Sequence, residues 1–210
     1  MIIHCIGDSH SAVFSGEDKM QPCWPEQAAN LIPYFKSYRI GAATAYQINN
    51  KRPIIEAVLN NANLQSNDKI MFCFGEVDNR NHLIKQSILQ NRNIEDIVNE
   101  CVERYIVALE YYKKYNLPII IWGPIASCYD CIPQVGSIEE RNYTTKLFNE
   151  KVELKCKEVG FEFVTVFYDM LNSDFTTNKY FLDDWPDSLM HLSQRSMDTI
   201  LQKFKDKNLI

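Results

Sequence analysis

Ile2-Ile3-His4-Cys5-Ile6-Gly7-Asp8-Ser9-His10-Ser11 decides the reading of this chain. A short, nearly continuous apolar run is the signature of a strand buried on both faces of a parallel sheet. It ends in Gly7, which lets the backbone turn sharply, and then in a polar cluster. Open α/β sheets place their chemistry at the C-terminal ends of such strands. The turn therefore presents Ser9 at a candidate site.

A serine hydroxyl is a poor nucleophile until a base takes its proton, and histidine is the usual base near neutral pH. Of the four histidines, His4 lies inside the first strand and reads as core or sheet edge. His10 adjoins Ser9 and reads as a pocket wall, and His82 as a substrate contact. His191, in Trp185-Pro186-Asp187-Ser188-Leu189-Met190-His191, abuts a helix start and has Asp187 four residues upstream to orient it. An i,i+4 pair shares a side if that turn is helical, and Asp184, with Asp183 beside it, is the reserve.

Gly7-Asp8-Ser9 after an N-terminal strand, with Asp187 and His191 before the last helix, resembles the SGNH (GDSL-type) hydrolase superfamily. The resemblance spans nearly the whole chain through short motifs. It implies Ser9 as nucleophile, His191 as base and an aspartate three residues before that histidine, a position that Ser188 occupies here. It also implies an oxyanion hole in which a second-block glycine matches Gly41, at the end of the strand-like Ser37-Tyr38-Arg39-Ile40. The third block, Gly-x-Asn-Asp, is matched at Gly75 and Asp78, but Val77 stands where the asparagine belongs. If the chain stays extended, Asn79 points to the same side as Val77 and substitutes for it. Arg80 is the other candidate donor, or else it pairs with Asp78 or Glu76 as a structural ion pair.

Further apolar runs at Lys69–Phe74, Leu117–Trp122 and Phe161–Phe167 read as strands, most closing on a glycine. Helical spacing is expected from Trp24 to Ala29, from Ile54 to Leu59, after the Asn93 cap, after the Ser137/Glu140 capping box, and after the Ser193 cap. The alternation predicts one α/β domain over residues 1–210. The expected fold is a three-layer α/β/α sandwich with a five-stranded parallel sheet, and the resemblance implies that it is flavodoxin-like, of SGNH-hydrolase type.

The composition is that of an ordinary globular domain, 46% apolar and 23% charged. A net charge of −5 argues against a nucleic-acid partner. No apolar run is long enough to span a membrane, and the first residues lack a basic leader, so a cytoplasmic location is expected. Of seven scattered cysteines, Cys5, Cys73, Cys101 and Cys156 read as small core residues, while Cys128-x-x-Cys131 reads as a loop with incidental thiols, lacking the further ligands a zinc site needs. No cofactor or metal is expected. The expected function is a serine esterase cleaving a short acyl ester, with an acetylated carbohydrate among the candidates. The alternatives are an acyltransferase to a carbohydrate acceptor, or a binding module with an impaired oxyanion hole.

Overall fold

The computed structural model describes residues 1–128, 134–183 and 190–210. Five parallel strands form one sheet in the order β2-β1-β3-β4-β5: β1 Ile3–Gly7, β2 Phe35–Arg39, β3 Lys69–Cys73, β4 Ile119–Trp122 and β5 Glu162–Val164. The first strand is flanked by β2 and β3, with Gly7 in register with Arg39 on one side and Cys73 on the other. Three strand ends thus meet around Gly7. The five-stranded parallel sheet agrees with the sequence reading, though β5 is shorter than its apolar run.

Strand alternation divides the core in two. Ile6, Phe72 and Ile121 face one layer, where α1 (Arg52–Asn61), α3 (Ile94–Glu110) and α4 (Ile138–Val159) supply Ile55, Val58, Val98, Val102, Phe148 and Val152. Cys5, Met71 and Ile120 face the other, where α5 (Met197–Asp206) brings Ile200 and Phe204. Phe14, from a 3₁₀ turn spanning Ser9–Ser15, completes that layer, its ring among those of Phe35, Trp122 and Phe204. The long helices begin where their caps predict. The Asn93 side chain accepts from the Glu95 amide, and Ser137 with Glu140 forms a reciprocal capping box. None of the described helices is long and apolar enough to cross a membrane.

One expectation is corrected. The segment from Trp24 to Ala29 is not helical: Cys23 bridges to Arg39, and the Trp24 amide donates to the Arg39 carbonyl at 2.8 Å. Asn30 also accepts from the Ser37 amide at 2.8 Å. This stretch covers the open edge of β2, and that hydrogen-bonding demand overrides its helix-start chemistry. The residues after Ser9 form a buried 3₁₀ turn, and α2 (Leu83–Gln90) is a helix that the sequence reading does not anticipate. The segment Ser11-Ala12-Val13-Phe14-Ser15 is too short to show a helical period.

Gly7 is required for a reason other than turning. A Cβ there would lie 2.7 Å from the Cys73 carbonyl oxygen and 2.8 Å from Ser11 Cβ. Close packing of β1 against β3 and the first turn leaves no room for a methyl group. Gly7→Ala should therefore destabilise the protein by ~1–3 kcal/mol, through overpacking of a rigid site. Urea unfolding measures this directly; an unchanged midpoint would contradict it.

Candidate active site

Ser9 opens the 3₁₀ turn directly after β1. The preceding Asp8 caps that turn, Oδ1 accepting from the His10 amide at 2.8 Å, while Ser11 Oγ donates to the Asp8 carbonyl at 2.8 Å. The turn is thereby held on both sides of Ser9. Across 182 residues of sequence, His191 Nε2 lies 2.9 Å from Ser9 Oγ.

His191 is placed by a short antiparallel bridge between Leu182 and Leu192. The Ser193 amide donates to the Phe181 carbonyl at 2.8 Å, and the Asp183 amide to the His191 carbonyl at 2.9 Å. Asp183 and His191 are therefore cross-strand neighbours. Asp183 Oδ2 lies 3.5 Å from His191 Nδ1, and Oδ1 accepts from the His191 amide at 3.4 Å. Asp187 and Asp184, the expected orienting acids, lie outside the described residues, as does Cys131. Among the described residues the carboxylate on His191 is Asp183, eight residues upstream. A bridge brings this acid and the base together.

Gly41 follows β2 in a left-handed conformation, φ +83°, and a Cβ built there meets nothing within 4 Å. The Ile40 amide donates to the Gly7 carbonyl at 2.9 Å, so β2 runs past the last paired residue of β1 and Gly41 emerges beside the Ser9 turn. Its backbone is uncovered by any side chain of its own.

The residues after β3 depart from expectation. Beyond Gly75 the chain does not stay extended but coils through a π-helical turn, Asp78–His82. The alternation that would aim Asn79 like Val77 therefore does not apply. Asn79 is buried, with Nδ2 donating to the Gly75 carbonyl at 2.8 Å. Arg80 Nε donates to Glu76 Oε1 at 2.7 Å, an i,i+4 ion pair of that coil. Asp78 is fully buried, and its carboxylate accepts from the amides of Ala45 and Tyr46 at 2.6 and 3.2 Å. Its observed contacts tie down the loop after Gly41. His82 borders a separate cavity of about 190 Å³ with Thr44, Tyr46, Gln47 and Gln86. His4 sits at the other end of β1 with Asp68 and Tyr38.

No family model matches the sequence, and no curated protein matches it. Solved structures do. A GDSL-like lipase from Bacteroides thetaiotaomicron is similar over 99% of this chain and 88% of its own, with TM-score 0.58 and 15% identity. A carbohydrate acetylesterase from Sinorhizobium meliloti matches over 99% of both chains, at TM-score 0.55 and 14% identity. A phospholipase A1 from Streptomyces albidoflavus matches over 98% of both, at 0.54 and 15%. The fold is that of the SGNH hydrolases. On the SGNH fold as it is built here, Ser9, Gly41 and His191 come from three separate segments at one end of the sheet.

The charges around this candidate site are mostly buried. Burial pushes the Asp8 carboxyl up to about 6, against the opposing charge of His10. Burial would also raise Glu76, but His10 and Arg80 outweigh it and hold that carboxyl down at about 2. His191 is lowered, chiefly by burial and then by the charge of His10, with Asp183 opposing. The His10–Glu76 contact was not foreseen from sequence. The available signal was Glu76 and Arg80 at helical spacing, directly after a strand.

Asp78 makes a pH prediction. Burial raises its carboxyl from 3.8 to about 6, despite the two loop amides. Between those values the folded chain binds a proton that the unfolded chain has released, so stability rises as pH falls through that window. Relative to Asp78→Asn, the native protein should gain on the order of 2 kcal/mol between pH 7 and pH 4. Urea unfolding at a series of pH values checks this. Native stability that falls, or stays level, relative to the variant as pH drops would contradict it.

Proposed function

We propose that this chain is a serine ester hydrolase of SGNH type, cleaving a short acyl ester, with acetylated carbohydrate as the favoured substrate class. The observation that carries the reading is the 2.9 Å contact between Ser9 Oγ and His191 Nε2. Residues so remote in sequence meet at a fixed turn, with a carboxylate on the far nitrogen of the imidazole. That is the arrangement of nucleophile, base and orienting group that acyl transfer needs. The likeness to esterases and lipases supports the same chemistry, and one of those neighbours is a carbohydrate acetylesterase.

In the proposed reaction Ser9 Oγ attacks the acyl carbon while His191 Nε2 takes its proton. Asp183 favours the tautomer that leaves Nε2 free to accept, and it stabilises the imidazolium that forms. The backbone amides of Ser9 and Gly41 are the donors for the tetrahedral oxyanion. Collapse breaks the ester C–O bond, and His191 returns its proton to the leaving alcohol. Water then attacks the acyl-serine, losing its proton to His191; the acyl–Oγ bond breaks, His191 returns the proton to Ser9 Oγ, and the acid departs. Val77 offers no side-chain donor, and Asn79 and Arg80 are engaged with Gly75 and Glu76. The oxyanion therefore relies on backbone amides.

Turnover of p-nitrophenyl acetate and of acetylated sugars tests the reading. Ser9→Ala and His191→Ala should each lower kcat/KM by ~10⁴–10⁶, with little further loss in the double variant. Asp183→Asn should lose ~10²–10⁴, because it disturbs the tautomer without removing the base. An acylated sugar appearing in place of free acid would identify the acyltransferase alternative. Folded protein with no turnover on any acyl length, and none lost in Ser9→Ala, would favour the binding module.

A further inference from the structure

His10 has no part in the reaction outlined above, yet its ring packs against the base. The His10 and His191 ring centroids are 4.5 Å apart, with the planes inclined by 37°. On its other side His10 Nε2 lies 2.9 Å from Glu76 Oε2, and Glu76 Oε1 accepts from Arg80. The His10 backbone is fixed in turn by Asp8. The His10, Glu76 and Arg80 side chains are about nine-tenths buried, so their charges interact with little screening.

We propose that His10 is a positioning residue for the base: clamped against Glu76, it holds a positive charge beside His191 and keeps that imidazole in its neutral, proton-accepting form. Two imidazolium rings in van der Waals contact repel each other, so the one with the closer carboxylate keeps the proton. Glu76 lies 2.9 Å from His10, whereas Asp183 stands 3.5 Å from His191. His10 therefore wins it. The titration directions agree. His10 is raised, because Glu76 and Asp8 outweigh the burial that lowers it, while His191 is lowered by burial and by His10. The charged groups facing the two rings are Asp8 on the first turn, Glu76 and Arg80 after β3, and Asp183 on the bridge.

The consequence for turnover rests on the hydrolase reading: activity should persist to lower pH than an unassisted histidine allows. The coupling between the rings does not rest on it, and site-resolved NMR of ¹⁵N-labelled imidazoles reads it without substrate. In the native protein His191 should titrate below His10. In His10→Phe the His191 midpoint should rise by about one unit, because the neighbouring cation is gone. The acid limb of kcat/KM should move up by the same amount. His10→Gln, uncharged and closer in polarity, should give the same shift and decides the matter if the Phe variant does not fold. An unchanged or lowered His191 midpoint in a folded variant overturns the proposal. A raised midpoint in a protein that turns over no ester would support the coupling and count only against the hydrolase reading.

Discussion

The contact between Ser9 and His191 depends on two rigid supports that the chain builds far apart. One is the turn after β1, fixed by Asp8 and closed by Ser11; the other is the Leu182–Leu192 bridge ahead of α5. Each is anchored by backbone hydrogen bonds, which hold a side chain more exactly than flexible contacts do. The turn also needs the close approach of β1 and β3 at Gly7. A methyl group at that point would disturb the first turn, and with it the serine.

Much of this was legible in the sequence because strand burial leaves a simple record. Apolar runs ending in glycine mark the three central strands β1, β3 and β4, since a central parallel strand has no polar face to confuse the pattern. Capping residues at Asn93 and Ser137 marked helix starts through local hydrogen bonding alone. Sequence reading failed where a distant partner decides the conformation. Trp24-Pro25-Glu26 has the chemistry of a helix start, yet the unpaired edge of β2 recruits it. Strand alternation would aim Asn79 like Val77, but the coil after Gly75 turns its amide back onto the Gly75 carbonyl.

The described orienting acid, Asp183, also depends on a distant partner. A carboxylate three or four residues before a histidine can be found by spacing, as with Asp187, which lies outside the described residues. Asp183 meets His191 through an antiparallel bridge, whose register no local spacing reveals. The structure also shows how tightly charge is balanced at the sheet end. Buried Asp8, Glu76, Arg80 and His10 neutralise one another close to the base, while Asp78 serves the loop that carries Gly41. Removing a single member would leave a buried charge without its partner, which is far costlier than losing an exposed pair.

The most direct test of the account is a crystal structure of the protein after inactivation with a small alkyl fluorophosphonate, whose adduct mimics the tetrahedral intermediate. The account predicts phosphorus bonded to Ser9 Oγ, with the phosphoryl oxygen within hydrogen-bond reach of the Ser9 and Gly41 amides and the His191 ring beside the serine oxygen. Modification of another residue, or a Ser9 adduct whose oxygen points away from both amides, would contradict it.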